Sequence, residues 1–211
     1  MKRTVKTHSD RKREIIETAE DLINRYGYED TTVERIINQV GIAKGTFYHY
    51  FRSKDDLLDH LVDGLIEEVT ENIREITDQE GDAVVKLFSL SAYFHTLAVG
   101  KEKFADYLHE ERNAHIHMKI EKRVTPPLVE CYVKLIDQGN REGIFRVNYV
   151  RDTALAMLGA AQTLSEGQHD HADREKIDLK KATAVVEIYE RMLGARKGLL
   201  MDYMMKQRRD R

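Results

Sequence analysis

Between Lys44 and Phe51 the chain reads KGTFYHYF, small and polar residues interleaved with aromatic ones. On a helix that advances about 100° per residue, Phe47, Tyr50 and Phe51 gather on one face. Gly45, Thr46 and His49 point the other way, with Tyr48 at the flank. Such a helix packs its aromatic side and turns hydrogen-bonding groups outward. Thr46 and His49 have the reach to meet base edges, and Tyr48 can donate to a phosphate. Gly45 removes side-chain bulk where a backbone could come close to a phosphate. Lys54, in the first turn of the next apolar run, is placed to neutralise one.

Positioning these groups takes three local elements. Thr31 and Glu34 have capping-box spacing, which predicts a helix start there. That helix lasts barely two and a half turns before Gly41, a residue able to take the left-handed backbone that stops a helix. Ile42 then supplies an apolar plug, and a short helix follows over about 44–50. Two short helices around a tight glycine turn are the helix-turn-helix plan. Ser53 with Asp56 reads as another cap, opening a long apolar stripe from Leu57 to Ile76. Upstream, Ile15, Ile16, Ala19, Leu22, Ile23 and Tyr26 form a first helical stripe ended by Gly27.

The stretch resembles the TetR family of repressors: Thr31-Thr32, Gly41, Lys44-Gly45-Thr46-Phe47-Tyr48, Tyr50-Phe51 and Ser53-Lys54-Asp55-Asp56-Leu57 stand in that family's order. The specific likeness covers roughly residues 10–65. Three positions depart from the family's habit: Ala43 where serine is frequent, Tyr50 where histidine is frequent, and Ile36-Ile37 for an Ile-Ala pair. These bear on individual contacts and on the operator sequence, not on the fold. The resemblance implies that Thr31, Thr32, Lys44, Gly45, Thr46, Tyr48, His49 and Lys54 contact double-stranded, palindromic operator DNA. It also implies a homodimer and a repressor released by a small-molecule effector. The alternative is a helical DNA-binding regulator with no small-molecule ligand, controlled by a protein partner.

Charge distribution fits. Residues 1–54 hold 11 Lys/Arg against 8 Asp/Glu, whereas the whole chain has a net charge of -3. A basic end on an acidic body suits nucleic-acid contact confined to that end, or else a solvated basic tail. With 41% hydrophobic and 34% charged residues, the chain reads as a soluble globular protein. Its one cysteine, Cys131, cannot form an intrachain disulfide, and no signal-peptide core follows the basic start. No stretch is apolar enough to span a bilayer, so no membrane association is expected and the location reads as cytoplasmic.

The apolar period is helical almost throughout and only two prolines occur. The fold class expected is all-α with about nine helices. Residues 1–54 would be a three-helix DNA-binding domain and residues 55–211 a larger helical effector-binding and dimerisation domain. In that body, Thr125-Pro126-Pro127 reads as a helix start, and the last long helix runs from about Asp178 towards Lys206. Tyr93, Phe94, His95, Phe104, Tyr107, His109, Met118 and Tyr132 could line an apolar pocket with polar handles, or simply form an aromatic core. Thr153–Leu164 and Ala182–Met205 are dimer-interface candidates, or parts of the monomer's own core. His115, His117, His169 and His171 read as solvated or core histidines in preference to metal ligands. Cys131 reads as a buried structural thiol. No cofactor is expected. No phosphate-cradling glycine loop, nucleophile elbow or zinc-protease helix is present, and the chain reads as a non-enzyme.

Overall fold

The computed structural model describes residues 7–97, 101–166 and 179–209. Among them are ten α-helices, one short 3-10 helix and no strand: α1 (His8–Tyr26), α2 (Val33–Val40), α3 (Lys44–Tyr50), α4 (Lys54–Asp78), α5 (Ala83–Thr96), α6 (Glu102–His109), a 3-10 turn (Glu111–Asn113), α7 (Ala114–Arg141), α8 (Val150–Glu166), α9 (Leu179–Met192) and α10 (Leu199–Arg209). Gly100, the loop around His169 and His171, and the residues before Thr7 lie outside the described residues. No described helix is long and apolar enough to cross a membrane.

Two compact units divide the chain, Met1–Val69 with Phe94–Val124, and Thr70–Tyr93 with Thr125–Arg211. In the first, α1 begins with a capping box. Thr7 Oγ1 accepts from the Asp10 backbone N–H at 3.1 Å, and the Thr7 N–H donates back to Asp10 Oδ2 at 3.4 Å. The helix stops at Gly27, whose φ of 90° favours glycine. Its stripe of Ile15, Ala19 and Leu22 closes over Ile36, Ile37, Phe47, Phe51 and Leu57 in one core. Full burial of each large side chain contributes about 1.5–3 kcal/mol, which lets helices of eight and seven residues persist here. Alone they would be too short to be stable.

The same unit takes in α6, the 3-10 turn and the start of α7. Phe104, Leu108 and Ile116 are buried, and α6 packs on α1. Ion pairs surround this packing: Lys101 with Glu20 at 3.0 Å, Arg112 with Glu29 at 2.9 Å, and Lys119 with Asp59 and Asp63 at 3.2 Å each. At such exposure a pair is worth about 0–1 kcal/mol, so the apolar contacts carry the attachment.

In the second unit, Leu128, Cys131, Leu135 and Ile136 of α7 are buried, as are Ala154, Met157 and Leu158 of α8. Gly139 makes room for Phe145, since a Cβ there would overlap the Phe145 ring. The Glu142 carboxylate accepts from the Ala83 N–H at 3.0 Å and so satisfies the start of α5.

Two readings of the body change. Pro126 and Pro127 do not start a helix; they lie inside the 28-residue α7. Each interior proline removes a helix hydrogen bond and costs about 3 kcal/mol. The helix continues because Val124, Leu128, Cys131 and Leu135, one buried stripe, keep their phase on both sides of the pair. The last long helix is in fact two, α9 and α10, separated by Leu193–Gly198. Gly194 and Gly198 have φ of 57° and 84°, and a Cβ on Gly194 would come within 2.8 Å of the Arg146 carbonyl oxygen. The buried Glu190 carboxylate holds this turn. It accepts from the backbone N–H groups of Gly198 and Leu200 at 2.8 Å and of Met201 at 3.3 Å.

Candidate nucleic-acid interface

The surface is built from the loop before α2 to the start of α4. Thr31 is fully buried and its hydroxyl donates to the Gly27 carbonyl at 2.8 Å. Thr32, not Thr31, caps α2, its Oγ1 accepting from the Arg35 N–H at 3.2 Å. The capping box expected of Thr31 and Glu34 is therefore not formed. Thr31 points inward to close the loop left by Gly27, which shifts the cap by one residue. The Glu34 carboxylate instead takes the Lys44 ammonium at 3.0 Å across the turn, both groups being exposed. The hydrogen bond from Lys44 holds the Glu34 carboxyl below its usual range, and Glu34 raises Lys44 in return.

Gly41 ends α2 in the left-handed conformation at φ 74°, its N–H donating to the Ile37 carbonyl. Ile42 follows, partly buried against the core. Ala43 is the N-cap of α3 and provides no side-chain bond to the helix start. On α3, Phe47 is fully buried and Phe51 just beyond it likewise, with Tyr50 half-buried against the same core. Lys44, Gly45, Tyr48 and His49 are exposed and Thr46 is half-buried. A Cβ on Gly45 would meet nothing within 4 Å. Nothing in the protein's own packing requires glycine there, so any requirement comes from outside.

Lys54 has a different environment from the one its position suggests. Its Nζ donates to the Tyr28 carbonyl at 2.8 Å and sits 3.9 Å from the Tyr28 ring centroid. Burial pushes its pKa down. Tyr28 in turn donates its hydroxyl to Asp55 at 2.7 Å, and burial together with that bond drives the Tyr28 pKa well up. Lys54 and Asp55 thus clasp the loop between α1 and α2 onto the first turn of α4. The phosphate-neutralising ammonium expected here is turned inward, because the carbonyl and ring of Tyr28 offer it a fixed partner. Sequence spacing carries no sign of this clasp. Nor does it show His8, whose ring lies beside His49 and Tyr50.

The eight residues considered for a pocket are divided between the two units. Tyr132 is buried in the second unit, its burial raising the hydroxyl pKa and its hydrogen bond meeting Tyr189. Tyr189 then donates to the Met157 carbonyl at 3.1 Å. Tyr93, which is half-buried, belongs to the same unit. In the first unit, Phe104 is buried, Phe94 and Tyr107 are half-buried, His95 is exposed and Met118 is 64% exposed. The His109 side chain lies outside the described residues. Of these, Tyr107 lines a cavity of about 230 Å³, which it shares with Tyr26, Tyr28, Glu29, Asp30 and Glu110. His115 and His117 are exposed.

A short helix buried by its aromatic face, with polar groups turned out at a basic end, defines a helix-turn-helix DNA-binding protein. Residues 15–61 match the family described as bacterial regulatory proteins, tetR family. The chain is 33% identical over 138 residues to the fatty acid metabolism regulator protein of Bacillus subtilis (strain 168), covering 62% of this chain and 66% of that one. It is 27% identical over 155 residues to the HTH-type transcriptional repressor KstR2 of Mycobacterium tuberculosis, covering 68% and 77%. Among solved structures, a TetR/AcrR-family regulator from Thermobifida fusca superposes with a TM-score of 0.62 at 22% identity, covering 87% of this chain and 97% of that one. The fatty acid degradation regulator FadR from Bacillus halodurans gives 0.61 at 22% identity, covering 91% and 99%. The chain belongs to the tetR family of DNA-binding transcriptional regulators, which are not enzymes.

Proposed function

We propose that the protein is a dimeric repressor that reads a palindromic operator through α3 and releases it when a small molecule binds the helical body. The division of α3 carries this reading: Phe47 and Phe51 are fully buried while Lys44, Tyr48 and His49 are left outside. Thr46 and His49 read base edges, Tyr48 and the Gly45 backbone meet phosphates, and Lys44 exchanges Glu34 for a phosphate. Thr31, Thr32 and Lys54 act on DNA mainly by fixing the loop and the helix start that carry the reader. Residues 1–54 are thus the DNA-binding part by role, and residues 55–211 the part that senses and dimerises.

Exposed apolar groups support dimerisation through α8 and α9. Leu155 is 48% exposed, Ile188 36%, and Ala156 and Gly159 on the same helix as Leu155 are open. A second copy would cover them and set two recognition helices about 34–36 Å apart, or a multiple of that. Helix α4 follows α3 directly and continues into the second unit. A ligand that binds the two states of α4 unequally therefore changes DNA affinity. Two of the relatives are named as regulators of fatty acid metabolism or degradation. Acyl metabolites are accordingly the first effector class to screen, by thermal shift.

The test of the reader uses a duplex selected from a random pool by the unmodified protein, beside an unselected duplex of equal length. Thr46→Ala and His49→Ala each lose about 1–3 kcal/mol on the selected duplex and much less on the unselected one, where phosphate contacts dominate. Unchanged binding by both variants, with normal melting, removes α3 as the reader.

A further inference from the structure

Three rings meet where the first turn of α1 reaches the last turn of α3. His8 lies 4.5 Å from Tyr50 between centroids, and 5.5 Å from His49 with the two imidazoles nearly perpendicular at 81°. His49 and Tyr50 complete the set at 5.2 Å and 80°. Tyr50 is the anchored member, packed against the core, whereas His8 and His49 are exposed. The backbone under His8 is itself fixed by the Thr7–Asp10 capping box immediately around it. His49 thus has a core-packed ring on one side and a second ring, supplied from 41 residues earlier in the chain, on another.

An exposed imidazole that must align with a base edge loses rotamer freedom on binding, and that loss is subtracted from affinity unless the ring is already oriented. Perpendicular and tilted ring contacts at these distances are attractive and directional. We propose that His8 is a positioning residue for base recognition, its ring holding the His49 imidazole, together with Tyr50, in the orientation that reads DNA. This rests on the reading of His49 as a base contact. It adds a specificity-determining residue from outside the helix-turn-helix, and the ring of His8, not its charge, is what matters.

The experiment is a double-mutant cycle on the full-length protein with His8→Ala, His49→Ala and the pair, titrated on the selected and unselected duplexes, with melting curves. His8→Ala weakens binding to the selected duplex by about 2- to 10-fold, the range of an aromatic pair contact. It changes the unselected duplex by less than about 2-fold, adds nothing once His49 is alanine, and is rescued by His8→Phe. Additive losses, equal losses on the two duplexes (a phosphate contact), or failure of His8→Phe to rescue overturn the proposal while leaving His49 a base contact. No loss from His49→Ala itself overturns both.

Discussion

Two of the glycine-punctuated helix breaks among the described residues are held by opposite chemistry. Between α2 and α3 the turn has Gly41 in the left-handed conformation and then Ile42 pressed against an apolar core. No side chain caps α3. Between α9 and α10 the turn has two left-handed glycines, and its centre is a charged side chain, Glu190, buried to 4% exposure and accepting three backbone N–H groups. The first turn is fixed by packing behind it and needs no side-chain cap at the start of α3. The second is fixed by a polar knot that uses up its own donors. An apolar hold suits a reading surface because the hold itself uses none of the outward polar groups. A polar hold suits a turn that need only persist.

Phe47→Ala does the most damage. It removes a fully buried aromatic from behind α3 and costs about 3–5 kcal/mol. Melting temperature and affinity on both selected and unselected duplexes fall together, unlike the response to Thr46→Ala. Normal melting would mean that packing is not what holds the reader.

Glu190→Gln is the counterpart in the polar turn. One of the two oxygens becomes an amide donor facing a backbone N–H, an arrangement that costs about 1–3 kcal/mol. Hydrogen exchange at Gly198, Leu200 and Met201 accelerates, while amides of α2 and α3 keep their protection. Equal acceleration in α3 would show that the two turns are not independently held.

The smallest effect is expected at Lys54. Lys54→Ala loses one hydrogen bond and one cation–π contact to Tyr28, together about 1–2 kcal/mol of stability. The salt dependence of DNA binding stays as it was. A slope reduced by about 0.9 per subunit would instead restore Lys54 to the phosphates and sharpen the account of how α4 meets DNA.

The reader was legible because its signals are local. The aromatic stripe of Phe47, Tyr50 and Phe51, the Gly41 stop and the Ser53 cap each act within one or two turns. Asp56 does donate its N–H to Ser53 Oγ, at 3.1 Å. The polar turn was not legible, since Tyr189, Leu193 and Leu199 lie at spacings that also suit one continuous helix. The donors that Glu190 satisfies are backbone amides, which every residue but proline carries. Periodicity cannot show where such amides lose their helical partners.

Local signals along the chain are enough to establish that it is helical, that a helix-turn-helix occupies its first quarter, and which side of α3 is packed. Period, glycine placement and capping residues are properties of neighbours along the chain, and they set local backbone conformation. Long-range packing is what carries α7 through Pro126 and Pro127, turns Lys54 to Tyr28 and brings His8 to His49. Each depends on groups brought together from distant positions, where burial or a fixed partner outweighs a local preference of a few kcal/mol. That balance is set by what lies across the contact, and spacing along the chain does not record it.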